Sequence, residues 1–559
     1  MLKAKIYIYL MMLTVVLILP FLGVFHLFDW DEVNFAECAR EMIQTGDYTQ
    51  VMVNFVPFWE KPPLFIWMQA ISMKAFGVSA FAARLPNAIA AFFSFVFLFK
   101  AGKELKNSKL GWIWVMAYVG SLLPNIYFHS GIIDPWFNLF IVMGLYFGFK
   151  ALQKGLLKHY VVCGTLIGLS VLTKGPVGFV LFAVPLGLFM LLNRKHTSPK
   201  WTGIISFLVS FGLVGGLWFF LLLMQGKEQV IYDFIDYQIR LFQTKDAGHG
   251  GPFYYHFLVL LLGCFPASFI ALRRLSIKPK YSFEFLMVLT LIFTLLLFSV
   301  VQTKIIHYSS LCYFPITFLA ASYIFDKLEN KTSLKTDARN TLVGLIVLGI
   351  IFTLAGWVLN HPEFILNNFK TDLFTKDTLR QQLSESSLFY LPGGFMLSSC
   401  ILIYVNYRKK SYNMTLLAGS LTIAIGILTL IPLVQRIEIY SQGGHVSLCE
   451  SAQRQQNNAL IHPIGFKSFV PLFYGLQTGT IMKNDREAMD EFNLVNTNGL
   501  NKPVFFTSKS YKKKEILKLY PILTCIDERG GFCLYCKKGE VLFKQSIDLS
   551  INNMKVRID

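Results

Sequence analysis

Carboxylates and cations crowd between the first two apolar segments of the chain. Asp29-Trp30-Asp31-Glu32 opens the stretch, Gly46-Asp47-Tyr48 interrupts it, and Trp59-Glu60-Lys61-Pro62-Pro63 closes it. A carboxylate can take the proton from an attacking hydroxyl, and an ammonium can neutralise a departing phosphate, so the set suits group transfer. Further groups of the same kind recur downstream beside apolar runs: Asp134, Lys174, Arg240, His249, Lys304, His307 and Tyr308. Ionisable residues next to apolar segments are functional candidates by default. Each also has an ordinary explanation. Asp31-Glu32 and Asp134 suit helix N-termini. Glu60-Lys61 reads equally as a solvated pair, Lys174 as a snorkelling lysine, and His249, in Gly248-His249-Gly250-Gly251, as a solvated loop histidine. Lys304, His307 and Tyr308 suit either a lipid phosphate or the membrane interface.

The elements that would position these groups can be read locally. Asp31 stands where an N-cap stands and Gly46 where a C′ residue stands, which predicts a helix over Val33 to Thr45. Pro62 and Pro63 open a second short helix, with Leu64, Phe65, Trp67, Met68, Ile71 and Phe76 as its apolar face. Together they predict two helices lying on a membrane surface, roofing a site.

The composition demands a membrane. Of 559 residues, 54% are hydrophobic and only 15% charged, against roughly 25% in soluble domains. Mean hydropathy is +0.50. Ile6 to Phe28 reads as a span rather than a cleaved leader. Thirteen charge-poor windows follow one another, near 6–28, 82–99, 110–128, 132–149, 159–173, 176–193, 202–223, 253–271, 284–301, 306–325, 340–358, 388–405 and 412–434. The net charge of +19 does not point to nucleic acid, because the basic residues gather in alternate short loops. Lys100–Lys109, Lys150–Lys158, Arg194–Lys200, Arg273–Lys280, Lys327–Arg339 and Arg408–Lys410 would face the cytoplasm, as would the N-terminus. Loops 29–81 and 224–252 then lie outside with all the candidate residues. A transmembrane domain over 1–435 precedes an extracytoplasmic α/β domain over 436–559. In the latter, apolar runs at 502–506 and 531–535 read as strands, and 484–492 and 512–520 as helices. Its four cysteines, Cys449, Cys525, Cys533 and Cys536, predict at least one disulfide; Cys533-Leu534-Tyr535-Cys536 is alternatively half of a zinc or redox site.

Taken in order, these stretches resemble a known family. Asp31-Glu32, Ala36-Glu37, Ala39-Arg40-Glu41-Met42, Gly46-Asp47, Glu60-Lys61-Pro62-Pro63 and Phe76-Gly77 resemble the first outer loop of the GT-C glycosyltransferases. ArnT-like aminoarabinose transferases and the protein O-mannosyltransferases are the nearest groups. Asp134-Pro135, Thr173-Lys174-Gly175, Arg240, His249 with Pro252-Phe253-Tyr254-Tyr255, and Lys304 with Tyr308 fall in that family's order. The resemblance implies an α-helical polytopic fold with about 13 spans and an outer α/β domain. It implies an inverting transferase in the bacterial inner membrane that uses a polyprenyl-phosphate sugar and a lipid A-like, protein or glycan acceptor. Asp31 would be the catalytic carboxylate, with Glu32 beside it and Asp134 across the cavity. Glu60 and His249 would hold a divalent metal such as zinc, magnesium or manganese. Lys61, Lys174, Arg240, Lys304, His307 and Tyr308 would surround the substrates. Two positions depart from the aminoarabinose transferases: Asn34 stands where they carry arginine, and Gly250 where a basic residue follows the histidine.

The residues support the class in their own right. No Gly-rich nucleotide motif occurs, which fits a donor anchored in the bilayer. A polyprenyl-lipid flippase would use the same cations without chemistry, but it has no need of carboxylates at the outer face.

Overall fold

The computed structural model describes residues 2–538 except 198, 244–249, 279, 382, 457–458, 477, 479–481, 485–486, 489–490 and 497–502. Two compact units result: Met1–Lys370 with Gln382–Ser441, and Thr371–Gln381 with Gln442–Asp559.

The first unit is helical. Among the described residues, seven helices are long and apolar enough to cross a membrane, and the pair Trp201–Gly215 and Leu217–Met224, bent by 51°, makes an eighth if counted as one span. Every predicted window falls mainly on helical segments, although that at 6–28 runs beyond the last helical residue, Phe21. Five of the thirteen are too short, too broken or too polar to count as spans by themselves. Pro266, for example, divides the window at 253–271 into Tyr255–Gly263 and Ala267–Ala271.

The predicted loop helices form as α1 (Asp31–Thr45) and α2 (Leu64–Phe76). Gly46 ends α1 with φ 72°, a left-handed conformation that glycine takes without Cβ strain. Helix α1 is enclosed by protein. Every residue from Glu32 to Met42 is buried. Its polar residues bond to one another, as where Arg40 meets Glu37 at 2.6 Å, so a charged sequence becomes an enclosed helix. The expected face of α2 is met in part: Phe65 is buried and Leu64, Trp67 and Met68 pack against apolar clusters, whereas Ile71 and Phe76 are exposed and Ile66, Ala70 and Met73 are buried in their place.

Helices α3 (Ala80–Leu105), α4 (Asp134–Lys154) and α5 (Leu157–Lys174) follow. The loop expected over 224–252 contains a further helix, α6 (Glu228–Gln243). Val230 and Phe234 of α6 join Leu172, Trp218 and Leu222 in an apolar cluster against which Leu64 and Trp67 of α2 pack. Polar bonds stitch the same parts: Trp218 Nε1 donates to the Thr49 carbonyl at 2.9 Å, and Lys227 pairs with Asp47 at 2.7 Å. Helix α7 (Phe283–Val300) leads into a 3-10 turn, Ile306–Cys312.

The second unit is built on four strands, β1 (Leu460–Pro463), β2 (Val504–Lys509), β3 (Leu523–Arg529) and β4 (Phe532–Lys537). Their order is β1-β2-β4-β3, with β1 and β2 parallel and the other pairs antiparallel. One face packs Phe505, Leu534 and Cys536 against Val446 and Cys449; the other packs Phe506, Cys533 and Tyr535 against Ile516. Residues 371–381 belong to this unit, with Phe374 edge-on to Phe532 at 5.2 Å. The helix expected over 484–492 is corrected: Met482–Asn484 and Glu487–Ala488 are strands, and a helix begins at Glu491. The expected disulfide is not formed among the described residues. The Cys533–Cys536 half-site is excluded by strand geometry, because residues three apart on a strand face opposite sides of the sheet.

Candidate active site

Asp31 is the first residue of α1 and follows Trp30, whose φ is 75°. No side chain caps this helix, which corrects the reading of Asp31 as an N-cap. Its carboxylate is instead directed outward, 46% exposed, with Oδ2 3.4 Å from His307 Nε2.

Glu32 has the opposite fate. Its carboxylate grips Arg84 of α3 through two bonds of 2.9 Å, and also accepts the Phe28 N–H at 2.9 Å and the Gly131 N–H at 2.5 Å. Burial works against its charge, but Arg84 and the two backbone donors outweigh this and hold its pKa below the usual glutamate value. Arg84, fully buried, adds three carbonyls, those of Leu22, Phe25 and His26. Glu32 is therefore an anchor for the start of α1.

Asp134 begins α4 and is buried. Lys174, the last residue of α5, donates to its Oδ1 at 2.6 Å. The turn that delivers Lys174 needs Gly175 at φ 94°. Asp134 Oδ2 accepts no hydrogen bond among the described residues and lies 3.8 Å from His307 Nε2. His307 thus stands between two carboxylates on separate helices. Tyr308 presents its ring to Lys174 at 5.2 Å, a cation–π distance.

On the neighbouring side, Tyr237 of α6 gathers three candidates. Its hydroxyl donates to Glu60 Oε2 at 3.0 Å, Lys61 Nζ lies 5.2 Å from its ring centre, and the Arg240 guanidinium lies 5.3 Å from it. Burial lowers the Lys61 pKa and Lys174 lowers it further, while Glu60, Asp31 and Asp134 act the other way. The same electrostatic field therefore links Lys61 to both carboxylates of the His307 pair.

Two candidates are placed differently. Lys304 donates to the carbonyls of Phe298, Ser299 and Val301 at 3.0, 2.7 and 2.5 Å. It satisfies the end of α7, where helical carbonyls lack partners and a cation is favoured. Its ammonium is thereby engaged by the helix end. His249 lies outside the described residues, although its neighbour Gly250 bridges Thr303. Asn34 is buried and accepts from Cys38 Sγ at 3.6 Å, so α1 brings no cation at that position.

The sequence reading missed Tyr237 and Arg84. Tyr237 precedes Arg240 by one helical turn, a spacing that puts both on one face. Arg84 was visible only as a charge at the mouth of an apolar run.

Glu60 is the one described member of the proposed pair, and no cluster of three His, Cys, Asp or Glu donors among the described residues includes it. The described residues alone do not build a metal site there.

Residues 60–218 match the family described as dolichyl-phosphate-mannose-protein mannosyltransferase. The undecaprenyl phosphate-alpha-4-amino-4-deoxy-L-arabinose arabinosyl transferase 1 of Proteus mirabilis (strain HI4320) is 25% identical over 407 residues, 71% of either chain. The corresponding transferase of Wigglesworthia glossinidia brevipalpis is 24% identical over 343 residues, 60% of either chain. The crystal structure of ArnT from Cupriavidus metallidurans bound to undecaprenyl phosphate superposes with a TM-score of 0.77 at 16% identity, covering 96% of this chain and 99% of that one. In sequence the chain is similar to these arabinosyl transferases, and in fold it is similar to that ArnT.

Proposed function

We propose that this chain is an integral membrane glycosyltransferase. It moves a sugar from a polyprenyl-phosphate donor to a lipid, glycan or protein acceptor at the outer face of the bacterial cytoplasmic membrane, with inversion. The observation that carries this is the convergence of Asp31 and Asp134 on His307, with Lys174 on Asp134 and Lys61 close by. Support also comes from the arabinosyl transferases it resembles and from the fold it shares with a protein solved with undecaprenyl phosphate bound.

The division of labour follows from exposure. Asp31 is open to an incoming acceptor, so it takes the proton as the acceptor oxygen attacks the anomeric carbon. Asp134 is closed off by Lys174 and His307 and fixes the two cationic or protonatable groups in place. The bond from the anomeric carbon to the phosphate oxygen breaks, and the polyprenyl phosphate leaves toward Lys61 and Arg240. Inversion requires base and leaving group on opposite faces of the sugar. The proposal includes a cytoplasmic N-terminus, an extracytoplasmic C-terminal unit, and a divalent cation at Glu60 and His249 that would help neutralise the donor phosphate. Elemental analysis of wild type and His249→Ala tests the cation without any need for turnover.

The decisive experiment incubates the purified protein with a panel of polyprenyl-phosphate sugars and membrane lipid or peptide acceptors, and identifies products by mass spectrometry. A glycosylated product that disappears in Asp31→Asn is expected. Transbilayer movement of the donor with no product from any acceptor would favour a flippase and overturn the proposal.

A further inference from the structure

The second unit contains two thiols that its sequence motif does not pair but its sheet does. Cys525 stands opposite Tyr535, and Glu528 opposite Cys533, on the antiparallel pair β3 and β4. An irregularity between Cys525 and Asp527 shortens the offset between the two cysteines. Cys525 packs beside the cluster that contains Cys533 and Tyr535, so the two thiols share one face. The side-chain ligand atoms of Cys525, Glu528 and Cys533 all lie within 4.8 Å of one another. Cys525 is half-exposed and Cys533 buried, so one thiol of the pair can be reached from outside while the other waits behind it.

We propose that Cys525 and Cys533 are a redox-responsive dithiol, closing to an intramolecular disulfide on contact with a small-molecule or protein disulfide. In the first step the Cys525 thiolate attacks one sulfur of the oxidant and expels its first thiolate. In the second, Cys533 gives up its proton and attacks the Cys525 sulfur, expelling the second. The dithiol is oxidised by two electrons, the incoming disulfide is reduced to two thiols, and the two protons pass to those thiols. Thiol–disulfide exchange needs a thiolate, and the surroundings supply one. The hydrogen bond from Cys533 is the main influence that draws Cys525 down to about 7, and Lys513 assists against partial burial. The shared hydrogen bond and burial push Cys533 the opposite way, which leaves it as the resolving thiol.

A cation such as zinc is the competing occupant of the same three donors. Lys513 argues against it, because its ammonium already sits 2.8 Å from Glu528 Oε2 and would repel a second positive charge. The proposal stands on strand geometry and does not depend on glycosyl transfer.

The test uses the full-length protein in detergent, first reduced and then exposed to oxidised glutathione, with free thiols blocked and the protein digested under non-reducing conditions. A cross-linked Cys525–Cys533 peptide, lighter by two hydrogens and lost on reduction, is expected. Cys525→Ser should abolish it. Cys533→Ser should instead trap a glutathione adduct on Cys525, and Cys536→Ser should leave the cross-link unchanged. Free thiols at both positions after oxidation would overturn the proposal, as would a cross-link through Cys449 or Cys536. Stoichiometric zinc in the reduced protein that is lost in Cys525→Ser would overturn it in favour of a metal site.

Discussion

Asp31 and Glu32 are chemically near-identical neighbours, and the structure requires them to fail in opposite ways. In Glu32→Gln the side chain keeps its length but loses one acceptor oxygen and its charge. The new amide must direct its N–H groups at Arg84 or at the Phe28 and Gly131 donors, which are already donors themselves. Arg84 would remain charged, fully buried and held only by carbonyls. Breaking a buried pair from one side costs about 3–5 kcal/mol. Asp31→Asn removes an interaction with His307 at a half-exposed position, worth no more than about 1 kcal/mol. It should instead lower turnover by about 10² to 10⁴ as a lost general base, equivalent to about 2.7–5.4 kcal/mol in the barrier. Thermal unfolding in detergent, donor affinity and turnover should be measured for both variants. Glu32→Gln should lose stability, and turnover should fall only with the folded fraction. Asp31→Asn should keep its melting temperature and donor affinity while turnover collapses. A Glu32→Gln protein as stable as wild type would refute the anchoring argument; near-normal turnover in Asp31→Asn would refute the base.

Lys174→Met should leave Asp134 buried without its ion pair, and turnover and stability should both drop; double substitution with Asp134→Asn should recover stability but not turnover, read from paired melting and activity curves. Glu41 gives a pH prediction. Burial, then the Glu37 carboxylate, push its pKa up to about 9, against the Phe55 N–H bond. The folded state thus holds a proton that the unfolded chain releases near the ordinary value, so this group's contribution to stability falls as pH rises between about 4.5 and 9. Glu41→Gln should flatten that decline in melting temperature, and an unchanged slope would count against the protonated carboxyl. Reporter fusions after Lys158 and after Ser451 should report cytoplasm and exterior; the same answer from both would refute the orientation. Chelation should remove a stoichiometric divalent ion from wild type, and His249→Ala should lack it from the start; wild-type protein without metal, active and indifferent to chelators, would remove the cation from the mechanism.

The membrane class and the principal carboxylates were legible because charge beside long apolar runs is costly and therefore conspicuous. Asp31, Asp134, Lys174 and Lys61 all stand out this way, and the structure brings them into one neighbourhood. What the sequence hides is the partner. Lys174 and Lys304 look alike in sequence, yet one meets a carboxylate and the other three carbonyls of a helix end. Glu32 and Asp31 differ by about 100° around a helix, which is enough to send one inward to Arg84. Polar residues in α1 suggested a wet surface because pairing such as Glu37–Arg40 leaves no trace in composition. In the second unit, the CxxC spacing was misleading because it fell on a strand, where a period of two separates what a turn would unite.

The contacts of Arg84 have a bearing on how the protein is made. Its guanidinium donates to the carbonyls of Leu22, Phe25 and His26 as well as to both oxygens of Glu32. None of these partners belongs to the helix that carries it, and all lie earlier in the chain. During membrane insertion, α3 therefore brings in a charge whose partners named above all lie in chain already synthesised. The apolar N-terminus, the acid-bearing loop and α3 together can neutralise that charge without waiting for the remaining helices. The contacts that orient the start of α1, where Asp31 stands, are thus available early, while Asp134 and His307 join from chain that emerges later.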